Sequence, residues 1–300
     1  MRLLTRESKI PAGRTLWADS WRRLKRNKPA VVGLVFVLLV LFVGIFADFL
    51  APASPTDQDL RARFARPGSP SKITRNGTYI LGADQFGRDI LSRIIYGARV
   101  SLTLAIVVEV ITRIIGITVG SVAGYYGGWI DMAISRVLEV LMAFPDLLFY
   151  IGIRFALGSS LPVLILAFSA FGWAGTSRFV RGLVMQLKES EYVEAARAQG
   201  FSDARIIVRH ILPNCLGPLI VSITLSIPGT IMGEAGLAFL GLGIQPPAPS
   251  WGNMIYDSRA YLRVAPFFGI WPGVALIVTV LAFNLFGDGL RDALDPRLKR

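Results

Sequence analysis

The sequence predicts an all-α membrane protein with six transmembrane helices, and three observations carry that expectation. Hydrophobic residues make up 53% of the 300, and mean hydropathy is +0.54, too apolar for a soluble domain. The apolar residues gather into runs near twenty long, the length that a hydrocarbon core of roughly 30 Å requires. The charges lie mostly between these runs, so the net charge of +12 suits anionic headgroups rather than nucleic acid, for which no basic stripe with interleaved polar aromatics is present.

Six spans follow in order, at about 30–50, 100–123, 133–155, 160–180, 214–238 and 265–287. Residues 30–47 and 264–287 contain no charged side chain, which makes the first and last spans the clearest. The third holds Arg136, Glu139 and Asp146 and is the least apolar. The basic run Trp21-Arg22-Arg23-Leu24-Lys25-Arg26 before the first span resembles the start of a signal peptide, and Ala51-Pro52-Ala53 mimics a cleavage site. The apolar run is too long for one, so an uncleaved span is expected, with its basic flank holding segment 1–29 in the cytoplasm. Alternation then places 51–99 outside, and both the 181–213 segment and the 288–300 tail inside. Arg61, Arg63, Arg66, Lys72, Arg75, Arg88 and Arg93 run against this assignment, which rests on the first flank.

In the outer segment Pro52, Pro55, Pro67 and Pro70 predict irregular chain, and Asn76-Gly77 a turn; Asn76-Gly77-Thr78 also matches the N-glycosylation triplet. Beyond it, Ile90, Leu91, Ile94, Ile95 and Ala98 recur at helical spacing opposite Arg88, Asp89 and Arg93, which predicts a short helix lying in the outer interface or on the protein's own surface.

Helix breakers interrupt several spans: Pro145, Pro162, Pro218, Pro228-Gly229 and Pro272-Gly273. Each proline frees a carbonyl that neighbours or water must satisfy, which favours a conduit. Pro228, Gly229 and Glu234 of the fifth span are candidate pathway-lining residues. Glu109 and Arg113 stand one turn apart and can neutralise each other, as can Arg136 and Glu139, whereas Glu234 has no partner nearby in sequence.

The most informative stretch is polar and helix-prone, at about 188–213 within a five-helix core of 100–287. In Glu194-Ala195-Ala196-Arg197-Ala198-Gln199-Gly200 the alanine pair allows close approach to a partner, and Gly200 suits a positive-φ turn. Pro213 closes the segment, so two short helices joined by a bend are expected. Ser202 stands as N-cap of the second, with Ala204, Ile207 and Ile211 on one face and Arg205 and Arg209 on another. His210, the single histidine, is read as a packing residue rather than a pH sensor.

Several chemistries are excluded. One cysteine, Cys215, and one histidine form neither a disulfide nor a zinc cluster, and no G-x-x-x-x-G-K phosphate loop is present. An intramembrane enzyme using Glu109, Glu234 or Asp146 lacks a paired nucleophile and base, although Ser222 and Ser226 are present; an ion channel lacks a repeated filter.

These residues reach a family resemblance. Glu194, Ala195, Ala196, Gly200, Leu212 and Pro213 resemble the Glu-Ala-Ala cytoplasmic loop of ABC-importer permeases. Arg209-His210-Ile211-Leu212-Pro213-Asn214 is similar to the form in the dipeptide, oligopeptide and nickel branch. So are Gly87-Arg88-Asp89 with Ser92-Arg93, Phe239-Leu240-Gly241-Leu242-Gly243, Gln245-Pro246-Pro247 with Ser250-Trp251-Gly252, and the run from Gly287 to Pro296; Ala83 departs where the branch more often has Thr. The resemblance implies the type I importer fold in the second, C-type permease of a heterodimer in a bacterial or archaeal cell membrane. It further implies an external binding protein that delivers di- or oligopeptides, with nickel chelates, glutathione or oligosaccharides as alternatives. Two cytoplasmic ATPases would carry ATP and Mg, so this chain needs no cofactor or metal and is not a catalyst. Their docking loop would comprise Glu194, Ala195, Ala196, Gly200, Ile207, Ile211, Leu212 and Pro213.

Overall fold

A computed structural model describes residues 16–295. The cytoplasmic-segment assignment for 1–15 and the tail from Pro296, which ends the Gly287–Pro296 motif, lie outside the described residues. Twelve α-helices are present among them. Helix α1 (Leu16–Arg26) leads into α2 (Lys28–Ile45), whose start is capped by the Asn27 side chain accepting from the Ala30 N–H. A short α3 (Ala47–Leu50) precedes irregular chain that holds one small antiparallel ladder, β1 (Ser69–Pro70) on β2 (Thr78–Tyr79). Then come α4 (Ile90–Tyr126), α5 (Gly128–Ala143), α6 (Asp146–Leu157) and α7 (Leu161–Leu187). The chain closes with α8 (Glu191–Ala198), α9 (Asp203–Ile206), α10 (Leu212–Phe239), α11 (Trp251–Ser258) and α12 (Phe267–Leu294). By length and composition α2, α4, α7, α10 with its lead-in, and α12 can each cross a membrane, and the α5–α6 pair makes a sixth crossing if read as one broken span.

Three expectations change. The third span is not a continuous helix over 133–155: α5 and α6 meet at a 79° bend. Pro145 cannot donate to the ladder, and it disfavours helical backbone at Phe144, which is extended at ψ 132°. Residues 90–98 do not form a separate interfacial helix but the first turns of α4, because no breaker stands between Ile90 and Tyr126 and the polar groups find partners at the helix start. Asp89 caps α4 by accepting from the Ser92 N–H at 2.8 Å. Burial pushes the Asp89 carboxyl above its ordinary value, against the pull of its hydrogen bonds from Ser92. Finally, the tail assigned from residue 288 begins inside α12, which runs on to Leu294.

The helices interlock through small residues. α4 lies along α7, α2 along α12, and α10 between α12 and α4. On α4, Gly116, Gly120 and Gly124 recur every fourth residue and form one file against α7. A Cβ on Gly120 would stand 2.5 Å from the Ser177 carbonyl oxygen, and one on Gly124 would stand 2.7 Å from that of Arg181. This file was open to reading in the sequence as G-x-x-x-G-x-x-x-G, a signal absent from the expectations above. Gly120→Leu is expected to cost about 1–3 kcal/mol through overpacking. Thermal unfolding in detergent followed by circular dichroism checks this, with Gly182→Leu, where a Cβ meets nothing within 4 Å, leaving the midpoint unchanged.

The two ends of the bundle differ. At one end α1 packs on the last turns of α12, with Leu24, Ala30 and Ala293 in one cluster and Arg23 donating to the Asp295 carbonyl at 3.4 Å. At the other, residues 51–89 form a cap over the start of α4. There the buried Asp84 carboxylate meets Arg88 at 2.6 Å and Arg93 at 3.5 Å, and Met254 of α11 packs with Ile90 and Phe268.

Candidate functional site

The polar segment folds as a hinged hairpin hanging from the end of α7. Helix α8 ends at Ala198, and Gly200 takes φ +76°. The Gly200 N–H donates to Arg197 O at 2.9 Å and the Phe201 N–H to Ala196 O at 3.2 Å, the paired bonds of a Schellman cap. The chain then turns into α9 and passes through a π-helical turn, Ile207–Ile211, into α10. Ser202 sits at the N-cap position of α9, yet its hydroxyl makes no capping bond.

The hairpin presents one face inward and one outward. Val193, Ala196, Ile206 and Ile211 are buried with Tyr125, Val180, Val184, Cys215 and Leu219. Glu194, Ala195, Arg197 and Gly200 are exposed. The expected apolar face of Ala204, Ile207 and Ile211 is therefore corrected: Ile211 lies wholly within this chain's own core, Ala204 is exposed, and Ile206 takes the inward place. The π turn, with one residue more per turn than α, rotates the register and accounts for the exchange. Ile207 and Leu212 are half-buried and Pro213 is exposed. His210 stacks on Phe201 with ring centroids 5.7 Å apart, and the Arg205 guanidinium lies 4.2 Å from the centroid of the same Phe201 ring.

One polar link ties the hairpin to α4. Tyr125, in the last turn of α4, donates its hydroxyl proton to Asp203 at 2.8 Å, and Arg197 lies 5.3 Å over the Tyr125 ring.

Halfway along the bundle is a cavity of about 410 Å³, walled by α4, α6, α7 and α10. Its polar wall centres on Glu109 and Arg113, an ion pair at 2.9 Å that is nearly excluded from solvent. Arg113 also donates to Ser222 at 2.9 Å and to Ser226, while Thr230 donates to Glu109 at 3.3 Å. Both charges of this pair are thus compensated by a partner or a hydroxyl, as burial demands. A second depression of about 830 Å³ shares Phe179, Ser222 and Ser226 with the first. It runs to Pro213, Arg23 and Leu294, so the two lie side by side along α10 toward the hairpin end.

Of the candidate pathway residues, Gly229 lines the cavity and the other two do not. Pro228 is buried, and Glu234 faces α11, where the Ser250 hydroxyl donates to it at 2.8 Å. Glu234 turned away because it sits five residues beyond Gly229, about 140° round the helix. The residues missed were Ser222, Ser226 and Thr230, whose fourfold spacing marks one polar face of α10 in the sequence. The Arg136–Glu139 pair forms at 2.8 Å on the exposed surface.

Two family models match parts of the chain. Residues 116–300 match the inner membrane component of binding-protein-dependent transport systems, and residues 15–67 match the N-terminal transmembrane domain of oligopeptide transport permease C. The chain is 42% identical over 283 residues to the dipeptide transport system permease protein DppC of Alkalihalophilus pseudofirmus, spanning 94% of this chain and 90% of that one. It is 41% identical over 286 residues to the glutathione transport system permease protein GsiD of Pectobacterium atrosepticum, spanning 95% and 93%. Among solved structures, a chain of the MetNI methionine ABC transporter in an inward-facing conformation matches with a TM-score of 0.55 at 19% identity, covering 69% of this chain and 98% of that one. That likeness bears on the fold alone.

Proposed function

Because the chain belongs to the family of inner membrane components of binding-protein-dependent transport systems, as a multi-pass ABC-importer permease of the dipeptide and oligopeptide branch, we propose that it carries di- or oligopeptides and is driven through the Gly200 hairpin. The observation that carries this reading is the hairpin itself. It offers Glu194 and Ala195 outward while its other face is locked to α7 and α10. A partner that grips the outward face moves the helices that wall the cavity.

In this reading two ATPases with ATP and Mg dock beneath the hairpin, and an external binding protein delivers cargo at the 51–89 cap. A second homologous permease completes the pathway as a heterodimer, since one hairpin is too small a contact to hold the assembly. Lipid surrounds the remaining apolar surface. Both termini and the hairpin lie in the cytoplasm, and the chain catalyses nothing itself: the hydroxyls of Ser222 and Ser226 serve the Arg113 guanidinium rather than a base. Glutathione is the second cargo to test, given the likeness to GsiD.

The test uses the assembled importer in proteoliposomes with its binding protein. Uptake of labelled trialanine, dependent on ATP and on the binding protein, is expected; uptake of glutathione in its place moves the cargo within the branch, and uptake of neither overturns the peptide reading. Sidedness has its own check, since Cys215 is buried and leaves the chain without an accessible thiol. Ala195→Cys should react with an impermeant maleimide in inverted vesicles only, and Lys72→Cys in right-side-out vesicles only. The reverse pattern would place the hairpin outside.

Tyr125→Phe removes the bond to Asp203 and keeps the ring. A loss of roughly 1 kcal/mol is expected, that of an ordinary hydrogen bond and below the usual value for a charged acceptor because Asp203 stays exposed. Stimulation of ATPase activity by loaded binding protein should fall several-fold, with basal hydrolysis retained.

A further inference from the structure

The bend at Pro145 brings a carboxylate into the cavity that nothing in the coupling scheme uses. Asp146 opens α6 and lines the cavity, as does Tyr150 one turn later. One oxygen of Asp146 accepts from the Leu147 N–H at 2.8 Å, and among the described residues no Lys or Arg forms an ion pair with it. The cavity wall therefore holds two carboxylates, Glu109 and Asp146, against one guanidinium, Arg113. That guanidinium is already tied to Glu109, Ser222 and Ser226, so the uncompensated charge rests on Asp146. Beside it Tyr150 and Phe168 stack with centroids 4.6 Å apart and both face the same space. A free carboxylate next to an aromatic wall is the arrangement that holds an ammonium group, through charge on one side and the ring quadrupole on the other. A broken helix lining a cavity is also what transporters of other folds use to build substrate sites.

We propose that this cavity binds the primary ammonium group of the passing peptide, with Asp146 as counter-ion and Tyr150 and Phe168 as the aromatic wall. The inference rests on the peptide reading and specifies which end of the cargo the permease feels. The Glu109–Arg113 pair, internally neutral, sets no fixed charge against the rest of the peptide. An α-ammonium and a lysine side chain share this chemistry, and the test separates them.

The experiment is calorimetric titration of the assembled permease–ATPase complex without its binding protein, so that selection by that protein plays no part. The probes are trialanine, N-acetyl-trialanine and N-acetyl-lysine amide. Trialanine should bind about fivefold more tightly than its acetylated form, the scale of one well-placed charge pair at an exposed carboxylate. Asp146→Asn, which keeps an acceptor for the Leu147 N–H, should abolish that preference, and Asp146→Glu should restore part of it. Binding of N-acetyl-lysine amide that is lost in Asp146→Asn extends the site to side-chain ammonium groups; its absence confines the site to the α-ammonium. Equal affinity for trialanine and its acetylated form, an Asn variant with the preference intact, or no binding of trialanine to a complex that imports it would overturn the proposal. A complex that imports no peptide in proteoliposomes would instead overturn the reading on which the proposal stands.

Discussion

Gly200→Val is expected to leave an importer that hydrolyses ATP but moves little cargo. At φ +76° a β-branched side chain is strained by about 1–2 kcal/mol, and no neighbour lies within 4 Å of the position a Cβ would occupy, so the cost is conformational and not a clash. The Schellman bonds that close α8 on Phe201 are the ones at risk, and with them the angle between α8 and α9. The buried side of the hairpin, from Val193 to Ile211, remains packed on α7 and α10, so folding and insertion should survive. The variant should reach the membrane at normal abundance, while binding-protein-stimulated ATPase and uptake fall more than about tenfold, the effect of a 1.4 kcal/mol change in a coupling equilibrium. Ala195→Trp, on the exposed face, should produce the same split by blocking the partner. Normal uptake by both variants would remove the hairpin from the coupling scheme.

Arg113→Leu is the second large effect. The guanidinium is the single cation in the cavity wall, and its loss strands Glu109 as an uncompensated charge and leaves Ser222 and Ser226 without their shared partner. Breaking a buried pair from one side costs about 3–5 kcal/mol. The expected results are a lower unfolding midpoint in detergent and near-complete loss of uptake. Glu109→Gln combined with Arg113→Leu should recover much of the stability, because the stranded charge is gone, but not the uptake. If stability fails to recover in the double variant, the pair is not what holds α4 to α10 at mid-depth.

The spans were legible because their signal is physical and crude: twenty apolar residues in a row leave few alternatives. The hinge at Gly200 was legible because glycine followed by a potential N-cap serine, with proline at the end of the segment, restricts the backbone at each point. What the sequence did not disclose was register. Nothing in Ile206-Ile207-Val208-Arg209-His210-Ile211 announces a π turn, and a regular 3.6-residue period assigns the inward place to the wrong isoleucine. Helix α11 was passed over for a related reason, since Trp251–Ser258 is too short and too mixed to register as a span, although Trp251 is among the largest buried side chains. The ion pair of Glu109 and Arg113 was readable from spacing alone, but its attachment to Ser222 and Ser226 joins residues more than a hundred positions apart and awaits the fold.

The glycine file on α4 has a mechanical outcome. With Gly120 and Gly124 pressed on the Ser177 and Arg181 carbonyls, and Gly116 on Thr176, this stretch of α4 and α7 leaves little room for one helix to shift on the other. The two helices constitute one stiff strut: its foot is the hairpin on α7 with the Tyr125 tether, and Glu109 rides on its shaft. Under the proposed coupling, a shove delivered at the foot would travel along the shaft to the cavity wall, so a contact only a few side chains wide would suffice.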